Sequence, residues 1–291
     1  MSEETIAILG LGKVGTAVGY LLRKAGYTIS AVASRTASSI NHGLPYTGGK
    51  PYTNYSDAAS QAECIFITTS DDAILSVCEK ITTEGSINTG KKVVHMSGVG
   101  GLNLLESARN AGAKTASIHP LQSFADIDSA IKNIPGSTFG ITSEEEIKEW
   151  SVEIVKVFGG IPFFVSDSDK PLYHAAACFA SNYLTTLIHI VEDMYKSLGL
   201  NREEAIRAVW PLIMGTIRNI ETHGTVKALT GPISRGDVST IQKHLHALKN
   251  KLPHYLDLYK LLGILTTDLG VEKRTLSNDQ SKLIKKLLGG G

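Results

Sequence analysis

The sequence predicts an α/β fold, a doubly wound parallel sheet, followed by an all-helical domain. Three observations predict it. From Thr5 to about Val165, short runs rich in Ile, Val and Thr alternate with helical segments. Those runs are apolar on both faces, and after Asp167 no further strand-like run occurs. A strand apolar on both faces must be covered on both, which places it in a parallel sheet between layers of helices. The domains implied are residues 1–166 and 167–291.

The strand-like runs, in order, are TIAILG, TISAVAS, CIFITTS, KKVVHMS, KTASIHP and STFGIT, each ended by Gly, Ser, Thr or Pro. Helices such as GTAVGYLLRKAG and LNLLESARNAG lie between them. SEEEIKEWSVEIVKVFGG opens with a serine and acids, a good helix start, and leads to a last strand, IPFFVS. Beyond VSDSDKP, helices are expected over 171–198, 202–220, 237–250, 254–269 and 278–288. Asn201 with Glu204, and Ser277 with Gln280, have capping-box spacing. Pro211 is expected to kink the second of these helices.

Composition excludes several classes of function. The chain has 291 residues, 42% of them hydrophobic and 20% charged, and a formal net charge of +1. A field that weak gives no reason to expect a nucleic-acid or acidic-membrane partner. No run is long enough to span a bilayer, and the first strand is reached by Ile6, leaving no room for a leader. Cys64, Cys78 and Cys178 are odd in number and widely spaced, which argues against a disulfide framework or a metal site. A cytoplasmic protein is expected.

The chemistry begins at the first strand–turn. Gly10, Gly12 and Gly15 have the G-x-G-x-x-G spacing directly after a strand and at the opening of a helix. Gly10 permits the tight turn, Gly12 lets a pyrophosphate approach bare backbone, and Gly15 allows close helix–strand packing. The backbone from Gly10 through Leu11, Gly12, Lys13, Val14 and Gly15 is therefore expected to hold the phosphates of a dinucleotide. At the end of the second strand an acid would bind the ribose hydroxyls of NAD. Here Ser34, Arg35 and Thr36 stand instead, and no Asp or Glu occurs between Glu4 and Asp57. An arginine with two hydroxyls suits the 2′-phosphate of NADP. The alternative is a solvated arginine on a strand-end loop.

In an open parallel sheet the ligand lies beyond the carboxyl ends of the strands. Thr69, Ser70 and Ser97 stand there as further cofactor contacts. Asp71 and Asp72 read equally as the start of the next helix. His119, followed by Gln122 and Ser123, falls where the reactive ring face is expected, so His119 is a candidate for catalysis and the other two for substrate binding. Lys170, His174, Cys178 and Asn182 recur at intervals of four along KPLYHAAACFASNYL, one slowly rotating helical stripe. The bland reading is a buried core helix with internally satisfied polar groups; the functional one turns the stripe to the cofactor cleft, with His174 as proton carrier and Asn182 orienting the substrate. Lys170, at the first turn before Pro171, is expected to reach solvent.

HPLQSF, YHAAACFASNYL and LTGPISRGD resemble one branch of the 6-phosphogluconate-dehydrogenase-like superfamily of Rossmann-type NADP-binding oxidoreductases. That branch joins a Rossmann-like domain to a helical domain of unassigned function; pyrroline-5-carboxylate reductase and ketopantoate reductase are more distant relatives. The resemblance implies an NADP oxidoreductase acting on a small polar carbonyl or imine compound between its domains, and pairing of the helical domains into a homodimer. Arg235 of LTGPISRGD would bind a substrate anion or mark a rigid turn, and Asp237 would cap the next helix. Hydroxyacid and ketopantoate enzymes carry a lysine four residues before an asparagine matching Asn182; here that position is Cys178. The departure argues against ordinary hydroxy-acid reduction and leaves a non-catalytic NADP-binding or sensor protein as the rival reading.

Overall fold

The computed structural model describes residues 4–290. The chain forms two compact units, the first ending at Asn182 and the second beginning at Tyr183. The first contains the sheet, whose strands are β1 (Thr5–Leu9), β2 (Thr28–Ala33), β3 (Lys50–Tyr52), β4 (Cys64–Ile67), β5 (Lys92–His95), β6 (Lys114–Pro120), β7 (Thr138–Ser143) and β8 (Ile161–Phe164). Their order is β3-β2-β1-β4-β5-β6-β7-β8.

Alternation along β1 shows why the sheet is buried on both faces. Ile6 and Ile8 join a core with Val18, Leu22 and Phe66, while Ala7 and Leu9 join another with Ile65, Ile67 and Ile74. Each fully buried isoleucine or leucine of that kind contributes about 1.5–3 kcal/mol. Helices α1 (Lys13–Lys24), α2 (Ala37–Thr47), α3 (Tyr55–Ala59), α4 (Asp71–Thr83), α5 (Glu106–Asn110), α6 (Ile127–Asn133) and α7 (Lys148–Val157) connect the strands. From β1 the chain winds outward to β3, then crosses back to β4 on the other side of β1. That reversal opens a crevice beyond the ends of β1 and β4.

One strand departs from the parallel expectation. The connection after β6 returns to the end it left, where the Leu121 N–H bonds the Thr138 carbonyl at 2.8 Å. β7 therefore runs antiparallel to β6, pairing His119 with Gly140, and β8 runs parallel to β7.

Helix α8 (Lys170–Cys178) closes the first unit. The helix expected over 171–198 is present, but a π-helical turn, Phe179–Tyr183, lies between α8 and α9 (Leu184–Lys196). The wider turn changes the phase of the side chains, so Asn182 leaves the four-residue stripe that holds from Lys170 to Cys178.

In the second unit, α9, α10 (Arg202–Ala228), α11 (Val238–Lys251), α12 (Leu256–Glu272) and α13 (Asn278–Leu287) are joined by turns and short 3₁₀ segments, with no strand among the described residues. The Asn201/Glu204 and Ser277/Gln280 capping boxes form, and Asp237 caps α11 through the Thr240 N–H. Pro211 sits inside α10 with helical backbone on either side. The non-helical residue is Gly224, at φ 76°, where a residue without Cβ meets least resistance.

Candidate functional site

The turn after β1 is built around close approach. Gly10 has φ +115°, and its carbonyl accepts a 2.7 Å bond from Thr68 Oγ1 at the end of β4. A Cβ on Gly15 would fall onto that same carbonyl and hydroxyl. Gly12 is the opposite case: beyond its own stretch of backbone, nothing lies within 4 Å of where its Cβ would stand. The loop is tight against the protein at Gly10 and Gly15 and open at Gly12, as a passing pyrophosphate requires.

Beside this loop lies a cavity of about 170 Å³. Gly10 and Gly12 line it from the loop, Thr68, Thr69 and Ser70 from the end of β4, and Ser34, Arg35, Thr36, Ser39 and Tyr55 from beyond β2. The expected Ser34, Arg35, Thr36, Thr69 and Ser70 are thus gathered in one place. Arg35 is exposed and has no acidic partner among the described residues. Thr36 caps α2, accepting the Ser39 N–H at 3.1 Å, with its hydroxyl 2.9 Å from that of Ser39. Thr69 Oγ1 is buried without a hydrogen-bond partner. A lone arginine, an orphan hydroxyl and a helix start beside an open glycine fit the phosphates and ribose of NADP. Leu11, Lys13 and Val14 do not line the cavity; Leu11 is buried in the core, Val14 packs against it and Lys13 points to solvent. Their share in phosphate binding would be through backbone alone.

Further along the strand ends, α8 lies on the sheet because two glycines make room for it. A Cβ on Gly98, after β5, would stand 2.5 Å from His174 Cδ2 and 2.9 Å from the His119 ring. One on Gly140, in β7, would stand 2.7 Å from the Tyr173 ring. His119 is thereby met by Tyr173, whose hydroxyl lies 3.0 Å from Nδ1, and by His174, with ring centroids 6.0 Å apart. His174 Nδ1 also lies 4.0 Å from Cys178 Sγ.

Lys170 overturns the solvent expectation. It is 1% exposed, and its ammonium donates to the Ser97 carbonyl at 3.2 Å and to Ser117 Oγ at 2.8 Å. The first turn of α8 delivers the amine between the ends of β5 and β6, where two serines leave space for it. Burial lowers the lysine to about 8, against the pull of Asp167 and Asp71. The same pocket holds His95 and His119 neutral. Burial takes His95 to about 4 despite its bond to the Gly101 carbonyl; burial, then the charge of Lys170, takes His119 to about 3. His95 Nδ1 accepts the Ser97 N–H at 3.1 Å, so Nε2 carries the hydrogen and donates to Gly101 O at 3.0 Å.

Ser97 lies apart from the nucleotide cavity. Its hydroxyl accepts the Gly100 N–H at 2.9 Å and its carbonyl serves Lys170. Gln122 is committed to Ser137 Oγ and the Asn133 carbonyl, and its own carbonyl accepts the Ser123 N–H, so this pair ties down the loop after β6. Asn182 stands on the exposed π turn. Arg235 lies in a short 3₁₀ turn of the second unit, Ile233–Arg235. Asp71 and Asp72 occupy the first turn of α4, after Ser70 at the cap position. Sequence reasoning missed Ser39, Tyr55, Tyr173, His95 and the burial of Lys170. Tyr173 was legible as the neighbour of His174, and the paired serines Ser97 and Ser117 were the only sign of room for an amine.

A larger cavity, about 610 Å³, lies in the second unit beside Glu192, Asp193 and Arg202. Arg202 is paired with Glu192 at 2.8 Å, and Asp193 accepts from the Tyr255 hydroxyl at 2.6 Å. Among the described residues no cluster of His, Cys, Asp or Glu is arranged to hold a metal, and no helix is long and apolar enough to cross a membrane.

Residues 2–120 match the Rossmann-like domain family, and residues 137–266 match DUF2520, a domain of unknown function. No curated protein matches the chain. In structure the chain is similar to BF3122 of Bacteroides fragilis, provisionally described as an NADP oxidoreductase (TM-score 0.75, 21% identity, covering 91% of this chain and 98% of that one). It is similar also to protein TM1727 of Thermotoga maritima (TM-score 0.73, 23% identity, 92% and 99% covered). A pyrroline-5-carboxylate reductase of Coxiella burnetii follows at TM-score 0.60 and 15% identity, with 97% and 99% covered. At these identities the likeness establishes the fold.

Proposed function

From the premise that the chain joins a Rossmann-like domain to a DUF2520 domain, we propose that it is an NADP-dependent oxidoreductase acting on a small polar carbonyl or imine compound. The observation that carries the reading is the cavity beside Gly12, where Arg35 stands without an acidic partner and Thr69 Oγ1 without a hydrogen bond. Bound NADP(H) would supply or accept the hydride. The chain's own residues would hold its phosphates on the backbone of Gly10–Gly15 and receive the 2′-phosphate at Arg35, Thr36 and Ser39. They would also present His119 and His174 beyond the ends of β5 and β6. The structural relatives described as NADP oxidoreductase and pyrroline-5-carboxylate reductase support the same class.

The rival is an NADP-binding protein without catalysis. Cys178, standing where the hydroxyacid relatives carry lysine, favours it; the buried amine of Lys170, about two turns earlier on the same stripe, speaks against it. Exposed Trp210, Leu212, Leu261 and Leu265 in the second unit support self-association through helices, and three free cysteines suit a reducing compartment.

The decisive experiment is a titration of wild type and Arg35→Asp with NADPH and NADH. Wild type is expected to prefer NADPH, and the variant to lose it by more than the roughly 1.5–3 kcal/mol of a charge-assisted bond, with NADH little changed. Equal affinity of wild type for both would remove the NADP assignment. Light scattering of the purified protein tests the dimer.

A further inference from the structure

We propose that the site receives an uncharged acceptor, a ketone or aldehyde oxygen rather than a protonated imine, on the Nε2–H of His119, with Lys170 as the positioning residue that fixes the charge of that corner. This deepens the oxidoreductase reading and rests on it.

The tautomer of His119 follows from its partners. The Tyr173 phenol lies 3.0 Å from His119 Nδ1. No other acceptor for the Tyr173 hydrogen stands among the described residues, so it goes to Nδ1. A neutral imidazole that accepts at Nδ1 carries its hydrogen at Nε2. The neighbouring His95 has the same tautomer by the same logic, with Nδ1 accepting and Nε2 donating. The two rings differ in one respect. His95 spends its Nε2–H on the Gly101 carbonyl, whereas His119 Nε2 has no protein partner among the described residues. That nitrogen faces Gly98, 2.9 Å from where a Cβ would stand. A half-buried donor left unpaired, in the lee of a residue without a side chain, is an open position for an acceptor atom.

Lys170 decides which acceptor. Its ammonium is held by Ser97 O and Ser117 Oγ, each on a strand end beside the histidines. The groups facing His119 are Lys170, Tyr173 and His174 from α8 and His95 from β5; among them Lys170 brings the positive charge, which together with burial opposes a second proton on the His119 ring. Asp167 and Asp71 act on Lys170 and hold its proton in place. A protonated imine would bring a second cation and an N–H donor against the Nε2–H, losing both charge and hydrogen-bond complementarity. A carbonyl oxygen loses neither.

The test has two arms. Nitrogen-15 NMR of the histidines in wild type is expected to show His119 neutral and protonated at Nε2 at pH 7 and still at pH 5, with and without NADP. Lys170→Met is expected to raise the pH at which His119 titrates, and Lys170→Arg to restore it toward wild type. A ring protonated at Nδ1, or doubly protonated at pH 7, would overturn the proposal whether or not Lys170→Met folds. The second arm follows NADPH consumption with uncharged ketones and aldehydes against the cyclic imines 1-pyrroline and 3,4-dihydroisoquinoline. At least tenfold preference for a carbonyl compound supports the proposal, and imine turnover equal to or above the best carbonyl defeats it. If none is turned over, the NMR arm decides alone. Absence of NADPH binding defeats the oxidoreductase reading instead, and leaves a distinct signature.

Discussion

The hydroxyl of Tyr173 lies 3.0 Å from Nδ1 of His119, and its ring crosses Gly140, the residue paired with His119 in the sheet. A helix side chain is thus laid directly over a strand pair because the partner strand has no Cβ in the way. Gly98 does the same for His174 on the other side. The arrangement of the site is written into two glycines as much as into the histidines.

Replacing Gly140 with alanine is therefore expected to push against a ring held at its far end. The new Cβ would meet Tyr173 at 2.7 Å, and rigid aromatic atoms cannot give way as a flexible chain end does. Overpacking of this kind costs about 1–3 kcal/mol. Denaturant titration measures it, and a variant as stable as wild type would mean that α8 lifts freely from the sheet.

The glycines of the phosphate loop separate in the same way. Gly12→Val is expected to fold with wild-type stability, because its side chain enters open space, yet to lose NADPH binding. Gly15→Ala is expected to lose stability first, since its methyl falls on backbone at Gly10 and on Thr68. Melting curves with and without NADPH distinguish the two. Undiminished NADPH affinity in Gly12→Val would remove the phosphate-loop assignment.

The sheet was legible because β1, β2, β4, β5, β6 and β7 are short runs of Ile, Val, Thr and Ala buried on both faces. β3 and α2 were not. Lys50–Tyr52 is a three-residue strand containing a proline, and ASSINHGLPYT carries glycine and proline within a helix. Propensity argues against both, and tertiary packing forms them. Of the site, the glycine loop and Ser34–Thr36 were readable as local patterns. Lys170 was not, because a lysine beside Pro171 in a first turn reads as solvent-facing. Only the descent of α8 onto Ser97 and Ser117 shows otherwise.

Stability is expected to fall on acidification below neutrality. His95 is fully buried and held down to about 4, whereas in the unfolded chain it titrates near its ordinary value of 6.5. Between those values the unfolded state binds the extra proton, so stability is complete above about pH 6.5 and is lost as pH falls toward 4. A displacement of that size corresponds to roughly 3 kcal/mol. Melting temperature recorded from pH 7.5 to 4.5 checks it, and His95→Gln is expected to flatten the acid side of the curve. An unchanged slope in that variant would assign the acid sensitivity elsewhere.

The Tyr173–His119 contact makes a sharper claim that a double-mutant cycle can reach. Tyr173→Phe keeps the ring over Gly140 and removes only the hydroxyl, so His119 Nδ1 loses its donor and the imidazole is free to place its hydrogen on either nitrogen. One neutral hydrogen bond is worth about 0.5–1.5 kcal/mol, which corresponds to a roughly two- to tenfold loss of kcat/KM with NADPH affinity unchanged. His119→Phe removes the donor at Nε2 itself and is expected to cost more. If Tyr173 acts only by fixing His119, the Tyr173→Phe substitution in the His119→Phe background should cost nothing further, because no imidazole remains to be held. Additive losses would mean that Tyr173 touches the substrate on its own account. His174→Gln completes the comparison. Its ring is 6.0 Å from that of His119 and its Nδ1 faces Cys178, so its loss is expected to be smaller than that of His119→Phe and independent of Tyr173. Should His174→Gln instead lose more, the catalytic weight lies on α8 and not at the end of β6.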